Sequence, residues 1–183
     1  MTATTKTTSA NRSYLWIGLG LIGFAVFARW LPHPPNVAPI AAMALLGGAV
    51  LPRRLALSLP LIAMMISDVF IGLHSLVILT WGSFVLIALL SSFILKRRRN
   101  PALIALSSVG ASSLFFVVTN FGVWLEGMLY PRTWAGLVEC YTLALPFFRN
   151  TLIGDAAYTG LLFGLFYLAT FAACRLVFTS KPA

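Results

Sequence analysis

The chain has 183 residues, of which 60% are hydrophobic and 9% are charged. In a soluble globular domain about a quarter of the residues are charged, so this composition excludes a soluble globular domain. The formal net charge of +9 comes from basic residues that lie beside apolar segments. That placement is how membrane proteins fix their orientation, so we expect a lipid bilayer and no nucleic acid as a partner.

Six apolar segments predict one all-α, polytopic membrane domain over residues 14–178, between cytoplasmic tails at 1–13 and 179–183. A helix needs about 20 apolar residues to cross a bilayer. The second segment is short and has Pro39 near its start, which predicts a short, tilted or partly re-entrant helix. Pro60 predicts a kink in the third. The six segments cover about 14–31, 37–51, 55–73, 76–95, 101–124 and 150–177.

The basic residues predict that both termini are cytoplasmic. With the N-terminus inside, six spans leave only Arg29, Arg132 and Arg149 on the outer side, whereas ten basic residues fall on the inner side. This excess is the positive-inside pattern and predicts a multi-pass protein of the bacterial inner membrane. The ten are Lys6, Arg12, Arg53, Arg54, Lys96, Arg97, Arg98, Arg99, Arg175 and Lys181.

The first segment has a second interpretation, a cleaved signal peptide, which would leave five spans. Gly18, Gly20 and Gly23 favour a retained helix, because glycines at this spacing are typical of a helix-packing face. Two further segments carry small residues four apart, Ala44 with Gly48 and Gly160 with Gly164. We expect these to pack inside the bundle rather than to dock a partner.

The acidic and histidine side chains all fall on the predicted outer half. Intramembrane carboxylates are rare and normally face a bundle interior or a wet cavity, so Asp68 is predicted to line an outward-facing pocket. If Asp155 and Asn120 share that pocket, it favours a cationic or hydrogen-bond-donating ligand, and Asp68→Ala abolishes binding without preventing folding. Alternatively, Asp68 makes only a helix-packing hydrogen bond. The predicted pocket residues are His33, Asn36, Asp68, His74, Asn120, Trp124, Tyr141, Asn150 and Asp155.

Residues 125–149 are predicted to form a long outer loop that closes over this pocket. Loops of this length without regular structure are often functional. Trp124, Tyr130, Trp134 and Tyr141 lie in or beside it. An aromatic belt at the membrane surface is the alternative explanation for some of these rings.

No signature of an enzyme is present. The sequence lacks the phosphate-binding GxxxxGK[ST], HExxH and GxSxG patterns. Cys140 and Cys174 fall on opposite sides of the membrane and are not expected to pair. We therefore predict no catalytic residue, no metal and no cofactor. The alternatives are a membrane enzyme that uses Cys140 or a His/Asp pair on an extracytoplasmic or lipid-linked substrate, and a structural subunit.

Several blocks resemble the substrate-binding S components of energy-coupling factor (ECF) vitamin transporters. These are AAMALLGGAVLP in the short second segment, SDVFIG at the end of the third, and ALPFFRNTLIGD after the long outer loop. The chain resembles more closely a group of uncharacterised bacterial six-helix membrane proteins, through blocks such as PNVAPIAAMALLGG and TNFGVWL. The resemblance to S components implies a six-helix bundle that binds a vitamin-like nutrient near its outer face. It also implies a separate coupling subunit and two ATPases as partners.

The resemblance is incomplete at the first helix. S components carry a docking AxxxA motif there, whereas Ala25 and Ala28 are three residues apart. A solitary transporter of the same fold is therefore an alternative. Because some cobalamin-specific S components work alone, the resemblance makes cobalamin one candidate ligand. The expected mechanism is capture from outside, closure of the outer loops and inward release.

Overall fold

The computed structural model describes residues 15–16, 19–20, 22–24, 26–28, 31, 36–73 and 75–179, apart from the side chains of 71 and 176–179. The described residues between 15 and 28 are helical. Five longer helices follow, and the described part of the chain contains no strand. They are α1 (Ile40–Val50), α2 (Arg53–Ile71), α3 (Val77–Ile94), α4 (Pro101–Glu126) and α5 (Trp134–Thr179).

The chain is all-α, as predicted, and has the architecture of a helical membrane protein. Among the described residues, α3, α4 and Trp134–Arg175 of α5 are long and apolar enough to cross a membrane. The predicted second and third segments correspond to α1 and α2, of 11 and 19 residues. At 1.5 Å per residue α1 rises roughly 17 Å, about half of a bilayer's hydrocarbon thickness.

Helix α1 forms the centre of the bundle. All of its residues from Ile40 to Ala49 are buried, because its surface is apolar all round and other helices surround it. It contacts each of α2, α3, α4 and α5. Two polar side chains donate to carbonyls at its middle and its C-terminal end: Ser91 Oγ donates to Leu45 O at 2.6 Å, and Lys96 Nζ donates to Leu51 O at 3.1 Å.

A small residue allows α1 and α3 to approach closely. An added Cβ at Gly48 would overlap the Ala88 carbonyl oxygen and would lie 2.6 Å from Ser91 Cβ. Gly48 is therefore an internal packing residue, as the sequence predicted. Gly160 and Gly164 differ, since an added Cβ at either meets no atom within 4 Å. The same holds for Gly20 and Gly23, so among the described residues no side chain or helix packs closely against these four positions.

Helices α2 to α5 run up and down through the bundle, so that their connections lie at two ends. We call one the basic end, because Arg53 and Arg54 begin α2 there and residues 96–99 link α3 to α4. The connections 72–76 and 127–133 lie at the opposite end. Gly72 and Gly127 end α2 and α4 there with positive φ of 111° and 68°, a conformation that glycine adopts without strain.

The predicted outer loop at 125–149 is mostly helix, and this prediction was wrong. The connection covers only 127–133, and α5 begins at Trp134. The sequence predicts a loop at residues 134–149 because Glu139, Pro146 and Arg149 interrupt the apolar pattern. Tertiary contacts hold this part of α5 on α4: Tyr141 Oη donates to Val117 O at 2.7 Å, and Phe116 stacks on Phe148 at 4.5 Å.

The pairing of α4 and α5 changes the depth assigned to Asp155. Tyr167 Oη donates to Arg99 O at 2.9 Å, which fixes the basic end of the pair. Ser112 Oγ donates to Asp155 Oδ2 at 2.6 Å. Ser112 lies near the middle of α4, so Asp155 lies near mid-depth and not in the outer third of a span that begins at residue 150.

Asp68 is buried between helices α2 and α3. Its side chain is 2% exposed, and its Oδ2 accepts a hydrogen bond from Trp81 Nε1 at 2.8 Å. The prediction that it faces the bundle interior is confirmed. However, α2 contacts only α1 and α3 among the described helices, whereas Asn120 and Asp155 lie on α4 and α5. The predicted grouping of these three side chains is therefore not formed.

We expect Gly48→Ala to destabilise the protein by about 1–3 kcal/mol, because the new methyl group overpacks the contact between α1 and α3. The free energy of unfolding in detergent micelles measures the effect. Gly82→Ala on α3 is the matched control, since an added Cβ there meets no atom within 4 Å. The control should be neutral or slightly stabilising. Equal losses in both variants would contradict the close approach at Gly48.

We expect Asp68→Ala and Trp81→Phe to be coupled in a double-mutant cycle. Each variant alone removes the hydrogen bond and leaves a buried partner, whereas the double variant leaves neither. A coupling energy of about 1.5–3 kcal/mol is typical of a hydrogen bond to a charged group. Unfolding free energies of the four proteins measure it. Strict additivity would show that the contact contributes nothing to stability.

Candidate functional site

A cavity of about 250 Å³ lies in the half of the bundle away from the basic end. Its wall takes residues from all five helices and from the segment that precedes α1, so it belongs to the bundle as a whole. The volume is slightly below the range of about 300–1,000 Å³ that is typical of ligand pockets. The wall residues are Asn36, Ala38, Ile40, Ala41, Met64, Thr80, Phe84, Phe115, Thr151 and Asp155.

The apolar part of the wall contains a stacked aromatic pair. The rings of Phe84 on α3 and Phe115 on α4 have centroids 5.1 Å apart and planes inclined by 25°. Met64 from α2 and Ile40 from α1 line the same cavity. A mostly apolar wall with a few polar groups is typical of a small-molecule site.

The acidic group of the cavity is Asp155. Its side chain is 3% exposed, and Ser112 Oγ holds its Oδ2 from the neighbouring helix. The described wall residues include no basic side chain. Because a buried carboxylate without a cationic partner is costly, its presence on a cavity wall points to a ligand or to water there.

Two threonines present acceptors to the cavity. Thr80 Oγ1 donates to Leu76 O and Thr151 Oγ1 donates to Phe147 O, each at 3.0 Å. A hydroxyl group has one proton, so each oxygen that has donated it can only accept further hydrogen bonds. The hydroxyl oxygens are therefore acceptors like the carboxylate oxygens. The amide of Asn36 supplies both donors and an acceptor.

Of the nine residues predicted for the pocket, Asn36 and Asp155 lie on the cavity wall. Asn36 adopts a positive φ of 62°, in the segment before α1. His33 and His74 lie outside the described residues. Asn150 is half-buried on α5, one residue before the wall residue Thr151.

The other predicted residues make hydrogen bonds within or between helices and their connections. Trp124 Nε1 lies 3.2 Å from both Pro131 O and Thr133 O, which closes the turn between α4 and α5. Asn120 Nδ2 donates to Phe116 O within its own helix. Tyr141 bonds Val117 O, as described above, and Asp68 bonds Trp81. None of these four lies on the wall of the cavity.

The sequence contains a spacing pattern from which several polar residues of this region could have been predicted. Thr151, Asp155 and Thr159 are spaced by four on α5, and Ser108 and Ser112 have the same spacing on α4. Residues four apart share one helix face, so each series predicts a polar stripe. The stripes meet, since Thr159 Oγ1 also donates to Ser108 Oγ at 3.2 Å.

Cys140 is buried on α5, and its Sγ lies 3.4 Å from the carbonyl oxygen of Asn120. Cys174 is exposed near the far end of the same helix, and both thiols are free. Within the described residues no three His, Cys, Asp or Glu side chains lie close enough to hold a metal ion.

Comparison with known proteins identifies the family of this chain but assigns no activity to it. No curated protein and no solved structure matches the chain. A family model described as a family of unknown function, DUF6580, matches residues 9–176. This match includes all five helices up to the last turn of α5 and every wall residue of the cavity. The chain therefore belongs to the family of unknown function DUF6580.

Proposed function

We propose that the protein is a multi-pass protein of the bacterial inner membrane that binds a small water-soluble nutrient for uptake. The observation that carries this proposal is the cavity lined by all five helices, with Asp155 on its wall. A subunit whose polar groups only join helices has no need of such a cavity. The proposed fold has six spans, with the described helical residues between 15 and 28 in the first.

The location of the cavity supports capture from outside. Arg53, Arg54 and residues 96–99 lie at the basic end, and an excess of basic residues marks the cytoplasmic side. The cavity lies in the other half of the bundle, which this orientation turns to the exterior. Release on the cytoplasmic side then requires a rearrangement of the bundle, either alone or with an ECF-type coupling subunit and ATPases.

The size of the cavity limits the size of the ligand that it can hold. A volume of about 250 Å³ suits a molecule smaller than a typical drug. Cobalamin, with its corrin macrocycle and nucleotide loop, is much larger than this cavity. Of the nutrients that the resemblance to S components suggests, we therefore favour a small one.

Cysteine labelling tests the orientation. In a Cys174→Ser background, which leaves only the buried Cys140, Arg98→Cys and Ala135→Cys introduce one exposed thiol each. A membrane-impermeant maleimide should label Ala135→Cys in intact cells and should label Arg98→Cys only after lysis. The reverse pattern would place the cavity on the cytoplasmic half and would contradict capture from outside.

Native mass spectrometry of protein purified from its own host tests the binding function. We expect the wild type to carry a co-purified small molecule, and we expect Ala38→Phe to lose it because the ring fills the cavity. Ala102→Phe, the same substitution at an exposed position beside the basic end, is the control and should retain the molecule. Retention by both variants would show that the molecule binds elsewhere, and its absence from the wild type would contradict the proposal.

A further inference from the structure

We infer that the cavity takes a small organic cation that carries an ammonium group with N–H donors, such as a protonated primary amine. The inference rests on the proposed function and names the substrate class of the same site. Charge, hydrogen bonding and the aromatic pair each support it.

The charge of the wall favours a cation. Asp155 is the acidic side chain among the described wall residues, and no Lys, Arg or His accompanies it there. An ammonium group within hydrogen-bond distance would offset the cost of a desolvated carboxylate, whereas an anionic ligand would meet a like charge. A neutral ligand would leave the carboxylate without a counter-charge.

The hydrogen-bonding pattern favours a ligand that donates. Thr80 and Thr151 have given their protons to the carbonyls of Leu76 and Phe147, so both hydroxyls can only accept. With the Asp155 carboxylate they form a set of acceptors from α3 and α5. A primary ammonium group has three N–H donors and no acceptor, which complements this set.

The aromatic pair favours a ligand of moderate size with an apolar body. Phe84 and Phe115 line the cavity with Met64 and Ile40, and these side chains would contact the hydrocarbon part of the ligand. A purely inorganic cation would leave this apolar surface without a partner.

Three probes of one shape test the inference on the full-length protein in detergent micelles. Benzylammonium, benzyl alcohol and benzoate differ in charge and share the same ring. We expect benzylammonium to bind about tenfold or more tightly than benzyl alcohol, the factor expected for hydrogen bonds to a charged group, and benzoate not to bind. Isothermal titration calorimetry measures the three affinities.

Substitutions in the cavity wall then test whether the preference for benzylammonium over benzyl alcohol arises in this cavity. Asp155→Asn should abolish the preference for the cation over the alcohol. Thr159→Val is the matched control, because Thr159 is a buried polar residue one turn along the same helix and lies off the cavity wall. The control should retain the preference. If Asp155→Asn fails to fold, Thr151→Val removes an acceptor from the wall and should weaken cation binding about threefold or more.

Equal binding of cation and alcohol, tighter binding of benzoate, or no binding of any probe would each overturn the assignment of a cationic ligand. So would an unchanged preference in Asp155→Asn. These outcomes are distinguishable from failure of the proposed function. A neutral or anionic molecule that co-purifies with the wild type and is lost from Ala38→Phe would preserve the binding function and remove only the ligand class.

Discussion

The burial of α1 is the constraint on which the rest of the structure depends. An isolated helix of 11 residues would be marginally stable in water and is too short to cross a bilayer. Its apolar surface runs all round, so it is stable only inside a shell of other helices. The close contact at Gly48 and the hydrogen bonds from Ser91 and Lys96 fix it near the basic end of α3.

The cavity follows from this arrangement. Helix α4 has 26 residues and rises roughly 39 Å, whereas α1 rises less than half as far. Because the C-terminal end of α1 is held near the basic end, the shortfall falls at its N-terminal end. Ala38, Ile40 and Ala41 line the cavity at that end, where a longer central helix would have filled the bundle. The short second segment, which is unusual for a membrane span, thus leaves the space that forms the cavity.

Composition and periodicity were sufficient to predict the all-α architecture and the shortness of α1, but not its central position in the bundle. Burial of Asp68 was also predictable, since a carboxylate in an apolar helix has few alternatives to the interior. Its partner was not, because Trp81 lies on the next helix and only the packing of α2 on α3 brings the two together. The helical start of α5 was missed for a related reason: contacts with α4, absent from a local pattern, stabilise a segment whose own composition is mixed.

The site was predicted only in part, because depth was read from the helix boundaries. Moving the start of α5 from residue 150 to Trp134 moves Asp155 from the predicted outer third toward mid-depth and beside Ser112. Asp155 then lies on the wall of the cavity at the N-terminal end of α1, while Asp68 remains between α2 and α3. Counting carboxylates on one side of the membrane could not separate these two environments.

The two buried carboxylates illustrate how different neighbours give different roles. Asp68 accepts a hydrogen bond from an indole N–H at the contact of two helices, and no wall of the cavity includes it. Asp155 is held by one serine from α4 and lies on a wall whose other residues are apolar apart from Asn36, Thr80 and Thr151. A packing role would be fulfilled equally well by a neutral side chain, since one hydroxyl donor does not require a carboxylate. In the proposed function, the acid at position 155 serves the cavity, where a positive group from the ligand would complete its surroundings.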